Sequence, residues 1–274
     1  MFEQQVEQLS RMCQILSLPE AVRALLAGSI PDRAVCITFD DGYQNNHDVA
    51  APILRRYGAP ATFFVTRDAV REGIMWNDLV IEAVRRAGNS IDLTAAGLSN
   101  NAIVRTSGPA KLAESILTQL KYVPAMDRLV VARQLFESVT STSPPRLMMT
   151  ESEVARLGKD GFDIGGHTVT HPILSVLEPQ QAAFEIAGCA SWLKDLIGAA
   201  PVSFAYPNGR PGRDFRPEHV ELVRNAGFKV AVTTSWACAT RSSDCLQIPR
   251  ASLSGAAGAS QFSHLLKLLL SSYR

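Results

Sequence analysis

The sequence predicts an α/β fold with a parallel sheet, on two observations. The first is alternation, because short apolar runs of the kind that form buried strands are separated by segments with helical periodicity. The second is order, because the runs at 34–39 and 61–66 flank one helical segment, and a strand, a helix and a strand in that order form a parallel βαβ unit. The length of 274 residues is common for a single (β/α) barrel.

Each element is predicted from its own pattern. Apolar residues three and four positions apart predict helices at 2–16, 46–57, 77–87, 109–122, 125–139, 150–161, 179–197, 217–226 and 261–271. Short apolar or β-branched runs predict strands at 34–39, 61–66, 161–166, 201–206, 229–234 and 246–250. Gly58 ends the second helix, and Pro52 within that helix should perturb its hydrogen bonds. Thr150 and Glu153 form a capping box that starts the sixth helix.

The segment at about 73–146 interrupts the alternation. It contains three consecutive predicted helices and closes with a stretch rich in Ser, Thr and Pro at 141–145. We therefore predict one domain over residues 1–274 with a helical insertion at about 73–146. Packing against the core and covering it are the expected roles of this insertion, and shaping a substrate groove is the alternative.

The composition argues against several classes of function. The 27 basic and 26 acidic residues give a net charge of +1, so no basic excess indicates a nucleic-acid partner. Glycine-rich phosphate loops do not occur, so a nucleotide cofactor is not indicated. No stretch approaches the roughly 20 apolar residues of a transmembrane segment, and the N-terminus lacks the apolar core of a signal peptide. We expect a soluble bacterial protein, cytoplasmic or membrane-associated, and leave the oligomeric state open.

The cysteines do not form a disulfide framework. Their number is five, and no two of them are spaced as a CxxC pair. This pattern favours free thiols in a reducing compartment. A single bridge between Cys238 and Cys245 is the alternative.

Polar residues lie at the C-terminal ends of three predicted strands. Asp40 and Asp41 follow the first strand, His167 follows the third, and Tyr206 ends the fourth. In barrels and open α/β sheets, active sites assemble at this edge. We therefore expect the three groups to converge.

Asp41, His167 and His171 form a candidate set of metal ligands. The two histidines are four positions apart, which places them on one face of a helical turn, and the glycines at 165–166 would let the backbone turn sharply. Taken singly, each motif is also typical of a solvated turn or loop. Together, one carboxylate and two imidazoles form an open facial set of the catalytic type, in which a metal activates water. Asp40 would accept the proton of that water.

At these residues the sequence resembles the polysaccharide deacetylase family, also known as the NodB homology domain or carbohydrate esterase family 4. Thr38-Phe-Asp-Asp-Gly-Tyr43 matches the first motif of the family and His167-Thr-Val-Thr-His171 the second. Phe204-Ala-Tyr-Pro-Asn-Gly209 is similar to the third motif of several exopolysaccharide deacetylases. The resemblance covers about residues 34–250, and it implies a distorted (β/α) barrel of seven or eight strands with a helical insertion.

The resemblance also implies a role for each site residue. Asp40 would be the catalytic base, and the backbone N–H of Tyr206 would stabilise the oxyanion. Pro207 and Asn208 would contact the substrate, an N-acetylated glycan. The implied metal ligands are Asp41, His167 and His171. Zinc is the expected metal, with cobalt or nickel as alternatives.

The chain departs from the family pattern at two places. Many members carry an arginine in the third motif where this chain has Ala205. Arg250 is a candidate to reach Asp40 in its place, and an ordinary surface arginine is the alternative. Many members also have a late histidine as general acid, whereas the one histidine after His219 is His264, which we expect on the face of a helix. The residue that protonates the leaving amine is therefore unassigned.

Three functions follow from this reading. The leading one is metal-dependent N-deacetylation of a polysaccharide that contains N-acetylhexosamine, or of its precursor. The second keeps the site and changes the substrate to an O-acetyl group or another acyl group on a sugar. The third is a carbohydrate-binding protein that has lost turnover, because a fold can host a site without its chemistry. Trp236 could stack on a sugar, although packing is the favoured role.

Overall fold

A five-stranded parallel sheet organises the chain. The computed structural model describes residues 1–87, 91–94, 97, 108–251 and 262. The strands are β1 (Gln14–Ile15), β2 (Ala34–Val35), β3 (Ile37–Phe39), β4 (Ala61–Val65), β5 (Asp163–Gly166), β6 (Ser203–Ala205) and β7 (Val230–Val232). Strands β3 to β7 lie side by side in chain order, and all their pairings are parallel.

Ten α-helices surround the sheet in the described part of the chain. They are α1 (Phe2–Met12), α2 (Leu18–Ala27), α3 (Ala51–Arg56), α4 (Arg67–Glu72), α5 (Trp76–Arg86), α6 (Pro109–Leu120), α7 (Ala125–Val139), α8 (Glu151–Lys159), α9 (Pro179–Ile197) and α10 (Pro217–Asn225). Helices α8 and α9 pack on each other and on β5. This layering of helices on a parallel sheet confirms the α/β class, and the curled sheet forms a half-barrel.

The sheet is smaller than the seven or eight strands implied by the resemblance. Five of the seven described strands belong to it, and β1 and β2 form a separate parallel pair. The predicted strand at 34–39 is therefore two strands in two sheets, divided at Cys36. The predicted strand at 246–250 makes one parallel bridge, between Val232 and Ile248, which continues the sheet beyond β7.

The centre of the sheet is buried on both faces, as parallel sheets usually are. Every residue of β4 is buried. The ring of Phe63 stacks on Phe39 of the neighbouring strand at 4.9 Å between centroids and meets Phe162 edge-on. These aromatic contacts fix β3 against β4, and the residues that follow β3 are thereby held at a defined place on the sheet edge.

Several predicted helices have different bounds in the structure. The first ends at Met12, because residues 14–15 join a strand instead. The second begins with a π-helical turn at Asn46–Ala50, and its α-helical part starts next to Pro52, which cannot donate a backbone hydrogen bond. The short helices α2 and α4 are missing from the sequence prediction. The predicted helix at 261–271, with His264, lies outside the described residues.

The helical insertion has an apolar core of its own. Its helices α5, α6 and α7 pack on one another, and α7 has the predicted bounds. The fully or almost fully buried side chains at the centre of this cluster include Leu79, Ala83, Ile116, Leu120, Leu135 and Phe136. The insertion is thus a packed helical unit beside the sheet.

The cysteines form no disulfide in this structure. All five are free, so the alternative of a Cys238–Cys245 bridge is wrong. Within the described ranges, no helix has both the length and the apolar character needed to cross a membrane.

Candidate metal centre and active site

The three polar groups meet at the carboxyl edge of the sheet, as the sequence predicts. Asp40 and Asp41 follow β3, His167 follows β5, and Tyr206 follows β6. The Asp41 Oδ1 atom lies 3.4 Å from the Nε2 atoms of both His167 and His171. The two Nε2 atoms are 3.2 Å apart. Three donor atoms therefore form a nearly equilateral triangle.

The triangle fits a divalent metal. For bond lengths of about 2.0–2.1 Å, two ligands of a tetrahedral zinc ion lie about 3.3–3.4 Å apart, which is close to the observed edges. The donor set of one carboxylate and two imidazoles is one that such ions prefer. Asp41, His167 and His171 thus offer one complete face of a coordination sphere, with their ligand atoms within 4.8 Å of one another.

His167 is fixed by hydrogen bonds to both neighbouring strands. Its backbone N–H donates to the carbonyl of Val65 at 3.0 Å, and its Nδ1 atom lies 2.7 Å from the carbonyl oxygen of Ala205. Because a carbonyl can only accept, Nδ1 carries a proton, so Nε2 is the ring nitrogen that is available to a metal whenever the ring is neutral. The ring is 2% exposed. This carbonyl contact gives Ala205 a role that its side chain does not reveal.

The segment from His167 to His171 is a loop and not the predicted helical turn. Thr168 and His171 have backbone φ angles of 68° and 55°, in the left-handed region. Such angles are uncommon for non-glycine residues and rarest for β-branched ones, so the loop is strained. The prediction that the glycines at 165–166 turn the chain is wrong, because both lie in β5. Their role is close packing, since a Cβ on Gly165 would lie 2.5 Å from the ring of Phe64.

The electrostatics of the site favour two of the three candidate ligands in the protonation states that bind a metal. Burial alone would raise the pKa of Asp41, but the hydrogen bond to His167 and the nearby positive charges outweigh it and lower the pKa to about 2. Burial lowers the pKa of His171 to about 4, against the opposing charge of Asp41. Burial also acts to lower the pKa of His167, but the hydrogen bond to Asp41 and the charges of both carboxylates raise it. At neutral pH, Asp41 is an anion and His171 is neutral.

Arg250 binds the candidate base, as one of the two alternatives predicts. Its Nη1 donates to Oδ1 of Asp40 at 2.8 Å and its Nη2 to Oδ2 at 2.5 Å, a bidentate pair. The guanidinium also donates to Thr38 Oγ1 at 3.1 Å and to the carbonyl of Thr233 at 3.0 Å. The side chain is 18% exposed, so Arg250 is not an ordinary surface arginine. It occupies the place opposite Asp40 that Ala205 cannot fill.

Comparison with known proteins places this geometry in a family. A family model described as "Polysaccharide deacetylase" matches residues 27–231, most of the 274-residue chain. The chain belongs to the polysaccharide deacetylase family. It is also similar to the curated protein YxkH of Bacillus subtilis (strain 168), provisionally named a polysaccharide deacetylase. The identity is 22% over 250 residues, which cover 91% of this chain and 62% of that relative, less than two thirds of its length.

Solved deacetylases share the fold. PplD of Streptococcus pyogenes, determined in complex with acetate, has a TM-score of 0.62 at 20% identity, over 98% of this chain and 85% of that one. IcaB of Ammonifex degensii has a TM-score of 0.60 at 20% identity, over 96% of this chain and 86% of that one. The deacetylase domain of BpsB from Bordetella bronchiseptica has a TM-score of 0.56 at 15% identity, over 89% and 81%. At these identities the likeness shows the fold alone.

The third motif of this family member is mostly buried. The backbone N–H of Tyr206, the predicted oxyanion donor, donates to the carbonyl of Val232 at 3.3 Å. That long bond must be shared or exchanged before the N–H can serve an oxyanion. The ring of Tyr206 stacks on Phe215 in the core, and its hydroxyl donates to the carbonyl of Leu246. Pro207 is buried as well.

Asn208 differs from its neighbours in the motif because it lines an open groove. The groove has a volume of about 580 Å³ and begins at Asp41, His171 and Asn208. Its other walls come from the helical insertion and include Trp76, Asn77, Ile81, Glu114, Leu117, Thr118 and Lys121. The insertion therefore borders the candidate metal centre, which supports the alternative role that the sequence leaves open. Trp236 is 46% exposed and is not among the residues that line this groove.

Sequence reasoning missed three residues around the metal loop. Thr168, Glu185 and Arg128 are all buried and all hydrogen-bond to the loop or lie within it. Glu185 and Arg128 come from helices, where charged residues are normally solvent-exposed, so periodicity gave no signal for them. Thr168 lies within the second motif, but its residue type gives no sign of a left-handed backbone, which β-branched residues rarely adopt.

Proposed function

We propose that this family member is a metal-dependent hydrolase that removes N-acetyl groups from a polysaccharide containing N-acetylhexosamine, or from its precursor. One observation carries the proposal. A carboxylate held by an arginine, Asp40 with Arg250, lies next in sequence to Asp41, whose oxygen completes a triangle with two imidazole nitrogens. This arrangement combines a proton acceptor with a site for a Lewis acid.

The residues divide the work of amide hydrolysis between them. Asp41, His167 and His171 would hold a divalent metal, and such an ion would supply Lewis-acid activation of water and of the acetyl carbonyl. Asp40 accepts a proton from the attacking water, and the bidentate contact with Arg250 keeps the carboxylate oriented for it. As water adds to the acetyl carbon, the C–N bond breaks and acetate and a free amine form. The amine needs a proton, and the protonated Asp40 is the group at hand that holds one.

The proposed metal is zinc, with cobalt or nickel as alternatives. The nitrogen and oxygen donors suit all three ions, and the triangle of donor atoms has the edges expected for tetrahedral zinc. The proposed partner is an N-acetylated glycan that enters along the groove of the helical insertion. The open groove, rather than a closed pocket, supports a polymeric or oligomeric substrate.

Acetate release is the direct test. Protein stripped with a chelator would be assayed on an N-acetylglucosamine oligomer and on an O-acetylated sugar, with and without added zinc, cobalt or nickel. We expect acetate from the N-acetyl substrate only when a metal is restored. Release from the O-acetyl substrate alone would change the substrate class, and stoichiometric metal binding without release from either would support a binding-only protein.

Asp40→Asn tests the proposed base. The amide keeps the shape of the side chain but cannot accept the proton, so we expect metal affinity to stay within about twofold while kcat falls by about 10²-fold or more. Isothermal titration with zinc and acetate release measure the two quantities. The matched variant is Asp41→Asn, in which we expect the metal affinity itself to fall, because a proposed ligand is removed. Turnover in Asp40→Asn at the wild-type rate would show that Asp40 is not the base.

A further inference from the structure

The loop that carries His171 needs support from outside itself. Its two left-handed residues, Thr168 and His171, are not glycines, so the backbone conformation costs free energy that other contacts must offset. Inside the loop, the hydroxyl of Thr168 donates to the carbonyl of His167 at 2.5 Å and accepts from the N–H of His171 at 3.1 Å. These local bonds close the loop, but they do not attach it to the rest of the protein.

Glu185 attaches one side of the loop to α9. One carboxylate oxygen accepts from the backbone N–H groups of Val169 and Thr170, both at 2.8 Å, and the other accepts from the hydroxyl of Thr170 at 2.6 Å. Glu185 is 7% exposed. A buried carboxylate with three donors around it is a rigid anchor, because each donor that moves away leaves charge unsatisfied.

Arg128 attaches the opposite side of the loop to α7 of the helical insertion. Its Nη2 donates to the carbonyls of Thr170 and His171 at 3.3 and 3.1 Å, and its guanidinium lies 4.4 Å from the centre of the Trp76 ring. Arg128 is 3% exposed. In the described part of the chain, its hydrogen-bond partners are backbone carbonyls, including that of Lys121, and no carboxylate lies within ion-pair distance, although the charge of Glu185 is near enough to attract the guanidinium.

A buried arginine with no direct carboxylate partner is uncommon at a position that only joins two elements of a fold. Desolvating the guanidinium is unfavourable, and contacts with carbonyls and an aromatic ring offset this free energy less well than an anion does. A neutral or apolar residue could join α7 to the sheet with a smaller desolvation penalty. The one thing that Arg128 provides and an apolar residue cannot is directional bonding to the two carbonyls next to and at His171.

We propose that Arg128 and Glu185 are positioning residues of the metal centre. They hold the amides of Val169 and Thr170 and the carbonyls of Thr170 and His171, the part of the loop next to the second imidazole. The carbonyls of Thr168 and Val169 accept from the backbone N–H groups of Arg67 and Asp68, so the two side chains complete the attachment and keep the imidazole of His171 in place before any metal arrives. The helical insertion is then a working part of the metal centre as well as a wall of the groove. This inference rests on the proposed metal-binding role of the three ligands.

Cobalt titration of the metal-free protein tests the proposal without an activity assay. Arg128→Met keeps the apolar stem but removes the donors, and Arg128→Lys keeps the charge but not the fork. Arg133→Met is the matched control, since Arg133 lies on the same helix and pairs with Glu72 at the surface. We expect the affinity for cobalt to fall at least about tenfold in Arg128→Met, with an altered visible absorption spectrum, and to be restored in part in Arg128→Lys. Arg133→Met should match the wild type.

The outcomes separate the positioning role from the alternatives. A lower melting temperature with unchanged cobalt affinity and spectrum would mean that Arg128 only joins the insertion to the sheet, and the proposal would fall. If Arg128→Met does not fold, Arg128→Lys and Glu185→Gln decide by the same spectrum, because Glu185→Gln weakens the loop from the other side. A wild-type protein that binds no cobalt would overturn the proposed function and this inference together. Cobalt binding by the wild type with no acetate release would overturn only the proposed reaction.

Discussion

A single arginine decides how the candidate base is held. Arg250 donates two hydrogen bonds to Asp40 and one each to Thr38 and Thr233, so the guanidinium cannot rotate without breaking several bonds. The plane of Phe64 lies beside it, 5.7 Å from ring centre to guanidinium carbon. A carboxylate gripped in this way presents a fixed lone pair, which is what proton transfer at a defined distance requires.

Replacing this arginine should affect turnover and leave the metal in place. We expect Arg250→Met to lower kcat/KM by about 10²-fold, because Asp40 loses its orientation while the ligand triangle is untouched. The kcat/KM of Arg250→Lys should lie between those of Arg250→Met and the wild type, since a lysine keeps the positive charge but cannot form the bidentate pair. The measurements are steady-state acetate release and zinc stoichiometry, with Arg224→Met, at an exposed ion pair, as the control. Full activity in Arg250→Met would contradict the orienting role.

Asp78 is expected to make the stability of the fold depend on pH. It is 8% exposed, and its carboxylate accepts a hydrogen bond from the Tyr43 hydroxyl. Burial raises its pKa to about 6. An acid whose folded pKa is raised keeps its proton longer in the folded state, so its contribution is favourable at low pH and is lost as the pH rises through about 4 to 6.

Asp78→Asn should remove that dependence. The amide cannot ionise, so the free energy of unfolding of the variant should rise relative to wild type by about 2 kcal/mol between about pH 4.5 and pH 7. Urea denaturation of both proteins at the two pH values gives the difference directly, and other titrating groups cancel. A difference that is constant with pH would show that Asp78 is not protonated in the folded protein below pH 6.

Among the elements, β5 leaves little space for side chains at its two glycines. It pairs with β4 on one side and β6 on the other, and it uses glycines where its neighbours use large side chains. A Cβ at Gly165 would meet the ring of Phe64 at 2.5 Å and the carbonyl oxygen of Ser203 at 2.8 Å. The backbone contact cannot relax by a rotamer change. The strand that leads to His167 therefore depends on the absence of a side chain.

Two alanine substitutions compare a glycine that has no space for a Cβ with one that has space for it. Gly165→Ala should destabilise the protein by about 1–3 kcal/mol, because Phe64 and the β6 backbone must move. Gly158→Ala, on α8, meets its nearest atom at 3.5 Å and should be neutral or stabilising by up to about 1 kcal/mol. Thermal or urea unfolding measures both. Equal effects of the two substitutions would mean that crowding in β5 is not what the glycine relieves.

Across the whole molecule, the insertion and the sheet share one groove. Helix α6 lines it with Thr118, whose neighbour Gln119 is exposed but does not line it. We expect Thr118→Trp to raise KM about tenfold for an N-acetylglucosamine tetramer and to leave the monosaccharide unaffected, since a bulky ring blocks only substrates that extend along the helix. Gln119→Trp is the control. Equal KM values for the tetramer in all three proteins would place the glycan elsewhere.

Local patterns predict the parts of this molecule that depend on local physics. The bounds of α7 and α9 and the Thr150 capping box follow from periodicity and capping, and the convergence of Asp41 with His167 follows from where parallel strands end. The division of residues 34–39 between two sheets does not follow, because it depends on pairing with β1 and β4.

The strained loop and its two anchors are beyond the reach of sequence patterns for the same reason. Left-handed angles at Thr168 and His171 depend on contacts from outside the loop, and no spacing rule relates the loop to Glu185, 15 positions from Thr170, or to Arg128, 43 positions from His171. The roles proposed for Asp40, Tyr206 and the substrate-contacting residues stay predictions until they are measured.

The hydrogen bonds between Asp40 and Arg250 join residues 210 positions apart in the chain. During synthesis at roughly 5–20 residues per second, the two side chains are made roughly 10–40 s apart. A nascent chain therefore contains the carboxylate and both histidines well before the arginine that orients the base. The bidentate contact can form only after the segment around Arg250 has been made, so a chain that stops short of it would have the candidate ligands but no held base.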